Sequence, residues 1–207
     1  EKSDMENTNI TPKEMFLNQW AENVHREGSD KLLAWLEESD FFTAPASTRF
    51  HGNYEGGLCV HSLNVFRHFA RLCNTYKAEL GIASWKDKAE SVAICALLHD
   101  VCKIGLYTVE MRNKKNEEGQ WVKEPFYIHD EKQPMGGHGF KSVFLISDFM
   151  KLSDEERVAV ANHMGAFDRA PGDYALGPAW ERYPFAMLLH MADCMATFVD
   201  EVQKVKA

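Results

Sequence analysis

Six side chains in this 207-residue chain have the types and placements from which a metal centre can be assembled. His61 follows Gly56-Gly57 at the start of an expected helix. His99 and Asp100 end the apolar run "SVAICALLH", His138 lies in "GGHG", His163 closes a helix before Gly165, and Asp193 is inside the last helix. Imidazole nitrogens with carboxylate oxygens and no thiolate suit a hard-to-borderline divalent ion such as Mn, Fe, Co, Ni, Zn or Mg, rather than a cysteine-rich structural zinc. The adjacent His99-Asp100 pair has a specific use. An imidazole gives one nitrogen to one ion, whereas a carboxylate has two oxygens and can bridge two. A chain that ends an apolar helix with an imidazole, a carboxylate and, at Lys103, an ammonium must give each of them a partner, because hiding such groups from water is costly.

The elements that must position these groups read mostly as helices. "TPKEMFLNQWAENVHR" has a Thr-Pro opening and an apolar stripe of Met15, Phe16, Trp20 and Val24. "SDKLLAWLEES" is a second helix, followed by a long proline- and glycine-bearing loop, "DFFTAPASTRFHGNYEGG", whose length marks it as a wall of a site. Helical spacing of Val60, Leu63, Phe66, Phe69, Leu72 and Cys73 predicts a helix over residues 58–80, and another is expected over 88–99. Residues 106–128 change to two β-prone runs around Gly119, a β-hairpin inserted between helices. "GFKSVFLISDFMK" is amphipathic, with Phe144, Phe149 and Met150 expected in the core. "SDEERVAVANHMG" opens with a Ser153/Glu156 capping box. Residues 166–183 read as a polar loop before a last, Met-rich core helix that begins near Pro184. Residues 1–10 read as a frayed tail and 11–207 as one domain.

Composition narrows the function classes. With 45% hydrophobic and 26% charged residues the chain is ordinary globular material. A net charge of −8 argues against a broad duplex-binding surface but leaves room for a small anionic substrate. The five cysteines are spread without a C-x-x-C pair and read as reduced core residues of a cytoplasmic protein. No apolar run approaches the roughly 20 residues of a membrane span, so no membrane partner is expected. Nothing in the residues sets an oligomeric state.

The order His, His-Asp, Asp, as His61, His99-Asp100 and Asp193, resembles the HD-domain metal-dependent phosphohydrolase superfamily. "GGLCVHSLNVF" and "ALLHDVCKIG" are similar to its first two motifs, and the likeness runs over residues 48–197. His138 and His163 resemble the additional histidines of the two-metal branch. That branch includes HD domains of bacterial 3′-to-5′ exoribonucleases, to which this chain looks most similar, along with cyclic-dinucleotide phosphodiesterases and dinucleoside-polyphosphate hydrolases. The resemblance implies a mainly α fold, a helical bundle with the hairpin as an elaboration. It implies one or two divalent ions, the first held by His61, His99, Asp100 and Asp193, the second sharing Asp100 and adding His138 and His163. Lys103 is placed like the family's lysine that contacts the scissile phosphate. Met164 stands where some two-metal members carry a second histidine, which leaves that position to water or substrate.

The function implied is hydrolysis of a phosphoester by a metal-activated water. The substrate, and partner, would be a phosphorylated small molecule or nucleotide, a cyclic or dinucleotide, or a short single-stranded nucleic-acid end. The alternatives are a one-metal nucleotidase and a non-catalytic, metal-bound nucleotide-sensing or interaction module. His51, in the long loop, and Arg169 and Arg182, beside the polar loop, are candidate substrate contacts. His190 shares a helix face with Asp193 and is expected behind the ligands or in the core; His68 is core or surface; His25 and His129 are surface residues. Arg112, Lys114 and Lys115 make the hairpin tip basic, which suits a solvated turn or contact with a nucleic-acid backbone.

Overall fold

The computed structural model describes residues 10–130 and 137–202. The expected frayed tail therefore lies outside the described residues, apart from Ile10. Helix α1 (Pro12–Asn23) starts where the sequence signals it. Thr11 caps it in a reciprocal box with Glu14, and Pro12 takes the first turn, where a missing N–H costs nothing. Phe16, Trp20 and Val24 recur every fourth residue and are buried, but Met15 is 49% exposed, because a residue adjacent to Phe16 points about 100° away from that stripe. Helix α2 (Ser29–Glu38) buries Leu32 and Leu36.

At the centre stand α3 (Gly57–Thr75) and α4 (Ala89–Leu98). Residues 92–98 of α4 are buried without exception, as expected of a helix that is apolar all round and sits inside a bundle. α3 ends at Thr75, five residues before the predicted limit, and a 3₁₀ turn (Trp85–Lys88) capped by Ser84 leads into α4. The long loop over 39–56 forms no helix or strand, yet it is held by its own bonds. The Ser47 hydroxyl accepts from the N–H groups of Phe50 and His51 and donates to the His51 carbonyl. Gly57 is required where the loop meets α3, since a Cβ there would lie 2.0 Å from the Gly52 oxygen.

The hairpin is present as expected: β1 (Tyr107–Lys115) pairs antiparallel with β2 (Trp121–His129), from Tyr107 opposite His129 to Lys115 opposite Trp121. Gly119 turns it at φ 78°. It stands off the bundle, with Val109, Met111 and Trp121 exposed. Its basic tip is internally paired, Arg112 with Glu110 and Lys114 with Glu124, while Lys115 sits over the Trp121 ring.

α5 (His138–Ser147) packs on α6 (Asp154–Ala161) so closely that a side chain at Gly139 would strike the Ala161 carbonyl. The Ser153/Glu156 box opens α6 as its sequence signals. Phe144 departs from expectation: it is 58% exposed, while Met150 is buried and Phe149 packs on the core and stacks on Trp35. The segment read as a polar loop holds a 3₁₀ turn (Gly165–Asp168) and a seven-residue helix, α7 (Leu176–Arg182). So short a helix draws its stability from packing rather than propensity, here Trp180 against the core and the His190 ring. α8 (Pro184–Met195) follows and ends in a π-helical turn (Ala196–Glu201). The described residues thus form a mainly α bundle of eight helices with one inserted hairpin.

Candidate metal centre

Five elements deliver their polar residues to one end of the bundle. α3 brings His61, the end of α4 brings His99 and Asp100, and a 3₁₀ turn (Val101–Lys103) brings Lys103. The turn after α6 brings His163, and α8 brings Asp193. His61, His99, Asp100, Lys103 and His163 are all buried. The Nε2 atoms of His61 and His99 are 3.2 Å apart. Asp193 Oδ1 lies 3.2 Å from His61 Nε2, and Asp100 Oδ2 lies 3.3 Å from His99 Nε2 and 3.6 Å from His61 Nε2. The other Asp100 oxygen, Oδ1, is 3.4 Å from His163 Nε2. The two carboxylate oxygens of Asp100 therefore face different imidazoles.

The tautomers follow from what surrounds each ring. His99 Nδ1 lies 2.8 Å from the Ala96 carbonyl and His163 Nδ1 lies 2.7 Å from the Val160 carbonyl; both carbonyls only accept, so each Nδ1 carries a proton. His61 Nδ1 donates to Glu201, 3.0 Å away. All three rings are thus held from behind and turn Nε2 toward the carboxylates, the arrangement in which a histidine offers its lone pair to a metal. His163 Nε2 is buried with no hydrogen-bond partner. The spacing also fits an ion: two donors each about 2.1 Å from one cation lie roughly 3.0–3.4 Å from each other.

The charges are strongly biased. Burial opposes ionisation of Asp100, but Lys103, with its Nζ 2.6 Å from Oδ2, and the surrounding imidazoles overcome it and hold the carboxyl well below its usual range. Asp193 behaves alike: burial raises its pKa, and the His61 hydrogen bond more than reverses that. Burial works against a charged His61, yet its bonds to Asp193 and Glu201 lift it to about 9. For His99 burial wins and its pKa falls. Lys103 remains an ammonium, because the Asp100 charge outweighs its desolvation. The carboxylates around His61 thus favour positive charge at this place, which a divalent ion would supply.

A cavity of about 400 Å³ opens onto this cluster. Asp100, Lys103, His138, His190 and Asp193 line its floor and sides, and His51 lines the wall formed by the long loop. Phe50, Phe167 and Phe198, each more than 60% exposed, surround the mouth. His138 reaches this cavity and its backbone N–H is fixed by Asp168, 2.8 Å away, but its ring is not among the donor atoms that lie within 4.8 Å of one another. His51 packs beside His61 with ring centroids 4.7 Å apart, and burial pushes its pKa down to about 4. Arg169 and Arg182 do not line the cavity. Arg169 is engaged by Asp173 and Asn162, and Arg182 lies over the Tyr183 ring.

The remaining histidines sort cleanly. His190 Nδ1 donates to the His163 carbonyl at 2.6 Å, so it supports the turn that carries a proposed ligand. Gly165 permits this, since its φ is 58° and a Cβ would meet the His190 ring at 2.6 Å. His68 is buried and bonded to Asp200, while His25 and His129 are exposed. Sequence reasoning missed Glu201 and Asn64, whose side chains are linked at 2.8 Å behind His61. A glutamate following Asp200 at the end of an apolar helix was the available signal, but its direction depends on the π-helical turn.

No curated protein and no solved structure matches the chain. A family model described as the HD domain matches residues 59–197, a span that includes His61, His99, Asp100, His138, His163 and Asp193. The chain accordingly belongs to the HD domain family, whose members are generally metal-dependent hydrolases.

Proposed function

We propose that this protein is a metal-dependent phosphohydrolase that cleaves a phosphoester of a nucleotide-sized substrate. The observation that carries the reading is the set of three imidazoles anchored through Nδ1 and turned through Nε2 onto Asp100 and Asp193, with His163 Nε2 buried and unpartnered. His61, His99, Asp100 and Asp193 would hold a first divalent ion. Asp100, through its other oxygen, would share a second with His163 and His138. When bound, such ions supply an acidified water and positive charge at the phosphoryl oxygens.

The chain's own groups do the rest. Asp100 fixes Lys103 at the cavity floor as an ammonium, where it meets a phosphate oxygen and offsets charge that develops in the transition state. The aromatic mouth offers flat apolar faces to a base. Among the described residues Lys103 is the sole lysine or arginine that lines the cavity, which favours a substrate with one reacting phosphate over a long polyanion. Cyclic or dinucleotides and short single-stranded ends fit the same description.

One observation favours a second reading. His138 stands outside the close donor set and Met164, beside His163, lines the cavity, as a one-metal nucleotidase would have it. The test is metal analysis and anomalous-scattering counting on the purified protein, followed by a panel of phosphoesters with Mn, Co, Ni, Zn and Mg. Metal-stimulated hydrolysis abolished by Asp100→Asn supports the phosphohydrolase. Tight nucleotide binding with no turnover under any metal would replace it with a sensing or interaction module.

A further inference from the structure

Glu201 lies four residues beyond the HD domain match and inside the π-helical turn, yet its side chain is only 6% exposed and is committed at both oxygens. One oxygen is 3.0 Å from His61 Nδ1, the other accepts from the Asn64 amide at 2.8 Å. Asp193 meets the opposite ring nitrogen of His61 at 3.2 Å. One imidazole is thus gripped between two carboxylates eight positions apart in sequence.

An unbroken α-helix would aim the two carboxylates in different directions. At about 100° per residue, eight steps leave Glu201 roughly 80° around the axis from Asp193. A π turn closes its bonds from i to i+5 and so advances less per residue, which brings the two carboxylates onto one face. The adjacent Asp200 serves the same turn differently: it bonds His68 Nε2 and Arg67, both on α3, and pins the turn to that helix. α3 and the π turn are therefore joined through two carboxylates, Asp200 bonded to His68 and Arg67 and Glu201 bonded to His61 and Asn64.

We infer that Glu201 is a positioning residue for the metal centre, holding His61 in the Nδ1–H tautomer and raising the basicity of its Nε2, and that the π turn exists to place it. This rests on the metal reading above. A carboxylate behind a ligating imidazole fixes ring orientation and strengthens the ligand, and its loss typically weakens metal binding about 10–100-fold. Asn64 holds the carboxylate's second oxygen, so the group cannot swing away from His61.

The experiment is titration of Mn²⁺, and separately Zn²⁺, into the chelator-stripped full chain, for the parent, Glu201→Ala, Glu201→Gln and Asn64→Ala, with circular dichroism recorded for each. Glu201→Ala is expected to weaken binding about 10–100-fold. Glu201→Gln should lose less, because its amide oxygen still accepts from Nδ1–H, and it serves as the measurement should the alanine variant fail to fold. Nitrogen NMR of the Zn²⁺-loaded protein adds a readout that a merely structural role would not move: the His61 Nδ1 proton, protected in the parent, exchanges freely in Glu201→Ala. Metal affinities within twofold of the parent in both Glu201 variants overturn the role of Glu201 and leave the metal reading standing. A parent that binds neither ion overturns both.

Discussion

Two clusters of buried charge can be compared. Around Glu156, at the start of α6, every polar atom is answered: Arg26 forks onto both carboxylate oxygens at 2.6 and 2.9 Å, Ser91 donates at 2.7 Å, the Ser153 N–H donates at 2.8 Å, and Glu90 takes Arg26's remaining reach at 3.1 Å. Around Asp100 the balance is different. Two imidazole nitrogens face each other at 3.2 Å, a third, His163 Nε2, makes no hydrogen bond and meets only Asp100 Oδ1 at 3.4 Å, and the nearest fixed cation is Lys103. Both clusters are buried and ionic, but one is closed and the other opens onto a cavity. Saturation marks a network that ties elements together, here the exit of α1, α4 and α6. Anchored rings that turn their free nitrogens onto carboxylates form a group that could hold a cation.

Four measurements would break or sharpen that contrast. The largest effect belongs to Asp100→Asn, which keeps shape and removes the charge shared by both halves of the centre. Divalent-ion affinity should fall by more than the roughly 10–100-fold expected of an outer residue, and metal-stimulated hydrolysis should drop to background. Next comes Glu156→Ala, which leaves Arg26 with only Glu90 and the Lys151 carbonyl and should cost about 1.5–3 kcal/mol in denaturant unfolding while leaving metal affinity within about twofold. If it instead abolished metal binding in a folded protein, the two clusters would not be separable.

Adding a divalent ion at about 100 times its Kd should stabilise the protein by about 2.7 kcal/mol, and chelation should reverse this. In a chain of this length that is a shift of about 5–10 °C in Tm, expected in the parent and lost in Asp100→Asn. The smallest effect is acid dependence at the closed cluster. Burial raises the Glu156 pKa, but Arg26, Ser91 and Ser153 together lower it below its unfolded value. Its contribution is therefore complete above roughly pH 4.5 and fades as pH falls through the lowered folded pKa. Glu156→Gln should flatten the acid limb of a stability–pH curve; an unchanged limb would remove Glu156 from the explanation.

Much of this centre was legible in the residues, for a physical reason. An apolar run such as "AICALL" has to be buried along its whole length, so the His99-Asp100 pair that ends it is carried to the edge of the core with it. The Thr-Pro opening of α1 and the capping box at Ser153 were local and held. What was not legible depends on packing between distant parts. α7 exists because Trp180 finds the His190 ring, and Met15 and Phe144 are exposed because the faces beside them are the ones the bundle covers. The direction of Glu201 is set by a turn type that no local propensity announces.

The exposed hairpin has a consequence for the continuity of the chain. Its Gly119 turn lies between Asp100 and His138, so a single proteolytic cut there would leave His61, His99 and Asp100 on one fragment and His138, His163 and Asp193 on the other. The proposed donors would be divided three and three. In such a nicked molecule a cation held by the proposed donors would become a cross-link between two polypeptides, and a chelator would loosen their association, a behaviour of two complementary halves built into one fold.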